Sequence, residues 1–180
     1  AMSEALTIIL KRNDPSAVAK QVSLTELGSI KINKEERGKM LKAIPRNSVI
    51  GFLIGVLPGA GATIASFLAY GMERNFVSDE EKEKFGKGSV HGLTAPETAN
   101  NAACSGAFVP LLTLGIPGSG TTAVMLGALL GFGIQPGPRL YITNPEIFWS
   151  VIMSMYIGMV VLLILNLPLI PYIARILAVP

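Results

Sequence analysis

Two short glycine–proline segments carry the chemistry that this sequence is equipped to do. Leu57-Pro58-Gly59-Ala60-Gly61-Ala62-Thr63 and Ile116-Pro117-Gly118-Ser119-Gly120-Thr121-Thr122 share the pattern apolar-Pro-Gly-small-Gly-small-Thr, at a separation of 59 residues. Proline removes a backbone donor and clashes with the preceding turn, so each segment interrupts a helix. Glycine lets the backbone turn its N–H groups outward and take positive φ. Successive N–H groups in such a turn form an anion-binding concavity. A helix starting just after the turn adds the positive end of its dipole. Thr63, Ser119, Thr121 and Thr122 add hydroxyls that donate or accept. This combination suits a carboxylate without placing lysine or arginine beside it, and the carbonyls of the same turns suit a sodium ion. The candidate substrate-binding residues are Pro58, Gly59, Ala60, Gly61 and Thr63, with Pro117, Gly118, Ser119, Gly120, Thr121 and Thr122.

Between the two segments lies Thr94-Ala95-Pro96-Glu97-Thr98-Ala99-Asn100-Asn101. Helical spacing places Glu97, Asn100 and Asn101 on one face, at i, i+3 and i+4. Oxygen ligands of this kind suit a hard cation, so the three are candidates for coupling sodium or protons to transport. Glu97 has a second reading, because Thr94-x-x-Glu97 has the spacing of a capping box. The same spacing recurs at Ser78/Glu81 and Thr143/Glu146. His91, the single histidine, reads as an interfacial polar residue, and no pattern around it marks a metal site. Cys104 sits among Ala102, Ala103 and Ser105 and reads as small-residue packing.

The elements that must position these residues are read from the distribution of charge. Hydrophobic residues make up 50% of the chain and charged residues 15%, against roughly 25% charged in an average soluble domain. Three long runs carry no charge at all: Asn47 to Met72, Thr98 to Pro138 and Ile147 to Ala174, of 26, 41 and 28 residues. A membrane-spanning helix needs about 20 predominantly apolar residues. The third run contains one plain span, Phe148 to Leu167, opened by aromatic residues of the kind that prefer the membrane interface. The first two runs are interrupted by the twin segments. Irregular backbone at membrane depth is tolerated only where it is buried in protein or lines a watery cavity. Paired Gly/Pro-interrupted apolar segments point to the binding site of a secondary transporter. Gly51/Gly55, Gly55/Gly59 and Gly127/Gly131 also have the four-residue spacing that brings helices close together.

Several classes are excluded. Disorder requires low hydrophobicity and high charge. One cysteine cannot build a disulfide scaffold. A net charge of +3 is too small and diffuse for a nucleic-acid footprint. Met2 to Leu10 is too short and polar for a secretory signal, and the beginning reads like the end of a hydrophobic segment of a longer chain. Gly118-Ser119-Gly120-Thr121-Thr122-Ala123 fits a dinucleotide-binding fingerprint, but no βαβ alternation follows it. Lys87 is followed by Gly88, so no P-loop exists, and no enzyme activity or resident cofactor is expected.

The motifs resemble those of the large membrane subunit of tripartite tricarboxylate transporters, the TctA family. The resembling stretch runs from Val49 to Pro138. It includes Gly51-x-x-x-Gly55, both Pro-Gly segments, Phe85-Gly86-Lys87-Gly88, Ala95-Pro96-Glu97 with Asn100-Asn101-Ala102, Pro110 to Gly118, and Gln135-Pro136-Gly137-Pro138. The resemblance implies a prokaryotic secondary transporter in the inner membrane, importing tricarboxylates or related carboxylates on an ion gradient. It implies two partners, a small membrane subunit and a periplasmic solute-binding protein. Members of that family are longer, with two related halves, and this chain is similar to the polar connector plus most of the second half. The competing reading is a membrane anchor or assembly subunit that transports nothing, which predicts plain spans rather than matched breaks.

The expected fold is an all-α integral membrane bundle, multi-pass in the lipid bilayer, forming an elevator-type half. Residues 1–46 are a polar, cytoplasmic connector, placed by the excess of Lys and Arg before the first run. A re-entrant helical hairpin follows at 47–72, then a polar loop at 73–96. A broken transmembrane helix occupies 97–134, an external loop 135–146 and a span 147–168, and a further segment starts at 169–180. The two breaks are expected to meet at mid-membrane and to move as a unit against a scaffold.

Overall fold

The computed structural model describes residues 32–176. Regular structure among these residues is helical: α1 (Lys34–Val56), α2 (Gly61–Phe76), α3 (Asp79–Lys82), α4 (Val90–Gly106), α5 (Phe108–Leu114), α6 (Gly120–Gly131), α7 (Leu140–Thr143) and α8 (Pro145–Ile176). Residues 32–157 form one compact unit, and residues 158–176, the later part of α8, belong to a second. The first 31 residues of the expected connector, and 177–180 of the expected last segment, lie outside the described residues.

The expected boundary between connector and hairpin at residue 46 falls inside a helix. α1 starts at Asn33, whose Oδ1 accepts from the N–H groups of Glu35 and Glu36 while Glu36 accepts from the Asn33 N–H. That reciprocal cap launches a polar helix, which continues through Pro45 and Arg46 into the uncharged run. It stops at Leu57, in extended conformation with φ −76° and ψ 116°, because a residue before proline is driven out of the α region.

α4 likewise begins at Val90, earlier than the expected helix start at 97. Gly88, at φ 102°, closes the preceding turn. Ser89 then caps the helix, its Oγ accepting from the Gly92 N–H at 3.1 Å. Thr94 is buried within α4 rather than capping it, so the Thr94/Glu97 spacing is not a capping box. Ser78, before α3, makes no side-chain cap either. The expected loop at 135–146 contains α7, and α8 already begins at Pro145. α8 also runs through Pro168 and Pro171 rather than ending there.

Three helices pack through small residues. α1 and α4 run parallel in a fixed register that pairs Gly51 with Ala99 and Gly55 with Ala103. A Cβ on Gly51 would stand 2.4 Å from the Ala99 carbonyl oxygen, and one on Gly55 2.3 Å from that of Ala103. Gly106 makes the reverse contact, 2.4 Å from the Phe52 carbonyl oxygen. α2 returns antiparallel to both, burying Ala65 and Ala69 against Ala99 and Ala103. Close backbone approach through glycine and alanine is how helices associate in lipid, where exclusion from water supplies no drive between them. By contrast, a Cβ on Gly127 would meet nothing within 4 Å among the described residues.

The polar end of this trio is tied by a carboxylate. Glu73, near the end of α2, is fully buried. It accepts from Arg46 Nε at 3.0 Å and from Arg46 Nη2. It also accepts from Asn47 Nδ2 at 2.8 Å and pairs with His91 Nδ1 at 2.7 Å. The Arg46 guanidinium lies 4.4 Å from the centre of the Phe76 ring. Burial pushes the Glu73 carboxyl up, but the hydrogen bonds from Arg46, Asn47 and His91 outweigh it and hold the group below its ordinary value. Beside it, Glu81 bonds Lys39 and Lys84, each at 3.2 Å, and accepts from Ser89 Oγ at 3.1 Å. Ser89 thereby ties α3 to the first turn of α4.

α8 is apolar over Pro145–Ile170, 26 residues with a mean hydropathy of 2.4. At about 1.5 Å per residue it exceeds the ~30 Å thickness of a hydrocarbon core. It is the one helix among the described residues that is long and apolar enough to cross a membrane.

Two outcomes are expected of the full-length protein unfolded in detergent. Gly55→Ala forces α1 away from α4 and costs about 1–3 kcal/mol, whereas Gly127→Ala is neutral or stabilises by up to ~1 kcal/mol. Equal effects would contradict the packing. For Glu73, a lowered folded-state pKa means stability that is complete above the unfolded value of about 4.3 and lost as pH falls through the folded value. Thermal midpoints recorded downward from pH 6 should fall in that window, and Glu73→Gln should flatten the fall while costing about 3 kcal/mol at neutral pH.

Candidate functional site

At the other end of α1 and α2, the two breaks come together. The Gly59 N–H donates to the Gly118 carbonyl oxygen at 3.3 Å. Around this contact is a cavity of about 700 Å³. Gly59, Gly61 and Thr63 line it from the first segment, and Pro117, Gly118, Ser119, Gly120, Thr121 and Thr122 from the second. Of the candidate substrate residues, Pro58 and Ala60 are not on the wall. Cys104 and Phe108 are, and among the described residues no charged side chain is.

The segments match in sequence but not in backbone. In the first, Gly59 and Gly61 take φ 84° and 67°. α2 then starts at Gly61 with no side-chain cap, so its leading N–H groups are left for other acceptors. In the second, the positive φ falls earlier, at Gly115 with 70°, and neither Gly118 nor Gly120 adopts one. Gly115 ends α5 in the left-handed conformation that favours glycine. Gly118 is closely approached instead, since a Cβ there would lie 3.3 Å from Ala107 Cβ, which would have to give by a few tenths of an ångström. The expectation that both glycine pairs serve positive φ is therefore corrected for the second segment.

The hydroxyls divide in the same way. Ser119 and Thr122 close the start of α6. Thr122 Oγ1 accepts from the Ser119 N–H at 2.8 Å, and Ser119 Oγ from the Thr122 N–H at 3.2 Å. Thr122 is buried, whereas Thr63 and Thr121 are exposed on the cavity.

Glu97, Asn100 and Asn101 do not converge. Asn100 turns toward α2 and donates from Nδ2 to Ser66 Oγ at 3.3 Å. Asn101 is exposed and bonds back to the Glu97 carbonyl at 2.9 Å. The Glu97 side chain is exposed. None of the three lines the cavity. Cys104, whose Sγ is 3.9 Å from Asn100 Oδ1, links that row to it. No group of three His, Cys, Asp or Glu that could hold a metal occurs among the described residues.

The charged cluster around Glu73 escapes a sequence reading because its members come from three helices with no local spacing. One signal was present. Arg46 and Glu73 are the two charges that bound the first uncharged run, and a hairpin necessarily brings its ends together. A second cavity of about 430 Å³ adjoins the cluster, with Lys39, Lys42, Arg46, Phe76, Glu81 and His91 on its wall.

The chain is similar in sequence to known proteins. The chain is 39% identical over 169 residues to the uncharacterized 52.8 kDa protein in the TAR-I ttuC' 3' region of Agrobacterium vitis, an alignment covering 94% of this chain and 33% of that protein. It is 46% identical over 130 residues to the uncharacterized protein in the TAR-II ttuC' 3' region of the same organism, covering 72% of this chain and 53% of that protein. The chain thus spans a third to about half of the length of these relatives. No solved structure matches it. Residues 1–180 match, from end to end, the family described as tripartite tricarboxylate transporter TctA. This chain therefore belongs to the tripartite tricarboxylate transporter TctA family, whose members are membrane transport proteins and not enzymes.

Proposed function

We propose that the chain is the part of a large membrane subunit that carries the substrate site of a binding-protein-dependent importer of tricarboxylates or related carboxylates. The observation that carries this reading is the meeting of the two Pro-Gly breaks around one uncharged cavity. The uncapped start of α2 and the hydroxyls of Thr63 and Thr121 offer a carboxylate neutral donors. Such donors bind an anion without the cost of stripping water from a buried cation. The antiparallel α1–α2 pair, charged at its base and glycine-rich at its tip, fits a re-entrant hairpin. Ten residues from Asn47 to Val56 rise about 15 Å, half of a ~30 Å core. The second break fits an interrupted crossing helix, α4 to α6. In this reading both tips move together against a scaffold, in elevator fashion, in a prokaryotic inner membrane. A solute-binding protein delivers the substrate, a small membrane subunit completes the complex, and a sodium or proton gradient drives uptake.

Uptake of radiolabelled citrate and other carboxylates tests this, using the full-length protein with its partner subunits in proteoliposomes. Thr63→Ala and Thr121→Ala should each raise the concentration for half-maximal uptake about 5- to 10-fold, the worth of one hydrogen bond of ~1–1.5 kcal/mol. Thr122→Ala should instead lower thermal stability by about 1 kcal/mol through loss of a helix cap. If no carboxylate enters under any gradient, the breaks are packing features and the chain serves as an anchor or assembly subunit.

A further inference from the structure

We propose that the outer face of α4 is one wall of a water-filled path joining the cavity at the tips to the charged base, and that the carboxylate proposed above leaves the cavity along it; the inference rests on that reading. The three packed helices do not present the same surface to their surroundings. α1 turns Val49, Phe52 and Leu53 outward, and α2 turns out Ile64, Phe67 and Leu68, all of them exposed. Such faces suit lipid. α4 differs. Between positions 97 and 105 its exposed residues are Glu97, Asn101 and Cys104, with the half-buried Asn100 and Ser105 at the edges.

The polar face lies at the same depth as the apolar ones. The contacts of Gly51 with Ala99 and of Gly55 with Ala103 set Glu97 level with Val49, and Asn101 level with Leu53. The spacing i, i+4, i+7 puts Glu97, Asn101 and Cys104 in one row. The row is therefore not a polar collar around the whole trio. It is one wet side of a unit whose other two sides are apolar.

Two properties of the row point to water against it. Asn101 and Ser105 bond back to their own helix, at 2.9 Å to the Glu97 carbonyl and 3.4 Å to the Asn101 carbonyl. An amide or hydroxyl satisfied in that way can face lipid, but an ionised carboxylate has no hydrogen to donate and cannot. Ionisable side chains at membrane depth face a bundle interior or a water-filled cavity. The row is also continuous with the cavity, since its last member, Cys104, stands on the cavity wall. From Glu97 to Cys104 the helix rises about 10 Å. One turn before Glu97 the same face reaches Leu93, level with Pro45, where α1 turns polar. This chain spans a third to about half of the length of its relatives, and the facing wall is assigned to the remainder of the longer protein. A carboxylate moving along a wet wall keeps its hydration, so the wall needs no cation. Glu97, of like charge, gives it no place to stop.

The test uses the full-length protein with its partner subunits. Asn101→Cys and Leu53→Cys are made without other cysteines, in membrane sheets open on both faces, and treated with a membrane-impermeant cationic methanethiosulfonate. This reagent attacks the thiolate, which forms in water and not in lipid. Asn101→Cys should react at least about tenfold faster than Leu53→Cys. Glu97→Cys reads the same row independently if Asn101→Cys does not assemble. A second measurement uses citrate uptake into proteoliposomes by protein with its native cysteines. Asn101→Trp should narrow the path and lose at least about fivefold of the uptake, whereas Leu53→Trp, level with it on the apolar face, should transport as wild type does. Slow reaction at both thiols overturns the proposal, because the row then packs dry against the rest of the protein. Equal, fast reaction at both also overturns it, because α1 is then as wet as α4. Fast reaction at Asn101→Cys with full uptake by Asn101→Trp leaves a wet face that is not the route, and overturns it too. Absence of citrate uptake by wild type removes the carboxylate reading, and the two reaction rates then decide the wet wall alone.

Discussion

The backbone contact between α1 and α4 is the constraint from which the rest of the structure follows. Gly51 on Ala99 and Gly55 on Ala103 leave no room for a side chain, so the two helices are fixed in register as well as in distance. Continuing that register toward the start of the helices brings His91 to the level of Ala43, one turn before Asn47, and Glu73 of α2 bonds Arg46, Asn47 and His91 together. Continuing it the other way places Ala107 and the second break beside the end of α1. A slip of one helical turn would separate both sets at once. The packing surface carries almost no side-chain volume, so its strength comes from many short contacts and from the absence of anything to push the helices apart.

Along this frame the protein separates two electrostatic settings. The tips are uncharged, and what they offer is backbone N–H groups, carbonyls and hydroxyls. The base is crowded with formal charge, organised around a carboxylate with no solvent exposure. A buried ion pair of that kind is a poor source of stability, since desolvation offsets much of the attraction. Its value is geometric, because the one carboxylate gathers Arg46, Asn47 and His91 from two other helices. Each setting depends on the other for position, as the helices that end at the tips begin or finish at the base.

Much of this was legible in the sequence, and the reasons for the remainder are physical. The breaks at Leu57–Ala60 and Gly115–Ser119 are local events, dictated by proline and glycine, and the twin motif marked them. Gly51 and Gly55 carried their close-packing role in their spacing, whereas the same spacing at Gly127 and Gly131 meets no neighbour among the described residues. The start of α4 was misplaced because Ser89 and Thr94 offer the same chemistry, and the choice between them was made by the turn at Gly88. The row Glu97, Asn100, Asn101 lies along one side of a helix, but that side divides between a packed edge and an exposed one, which period alone does not reveal. The Glu73 cluster required knowing that three helices meet, and that information is tertiary.

The bare start of α2 has a consequence of its own. α6 is closed by its own Ser119 and Thr122, so its first turn is complete whatever surrounds it. α2 has no such residue, with Ala60 at the corresponding place. Whatever acceptor rests against Gly61, Ala62 and Thr63, solvent or solute, acts as the missing terminal residue of that helix. The shape of the protein and the contents of its cavity are therefore not separate variables: whatever acceptor lies at the cavity wall completes the first turn of α2.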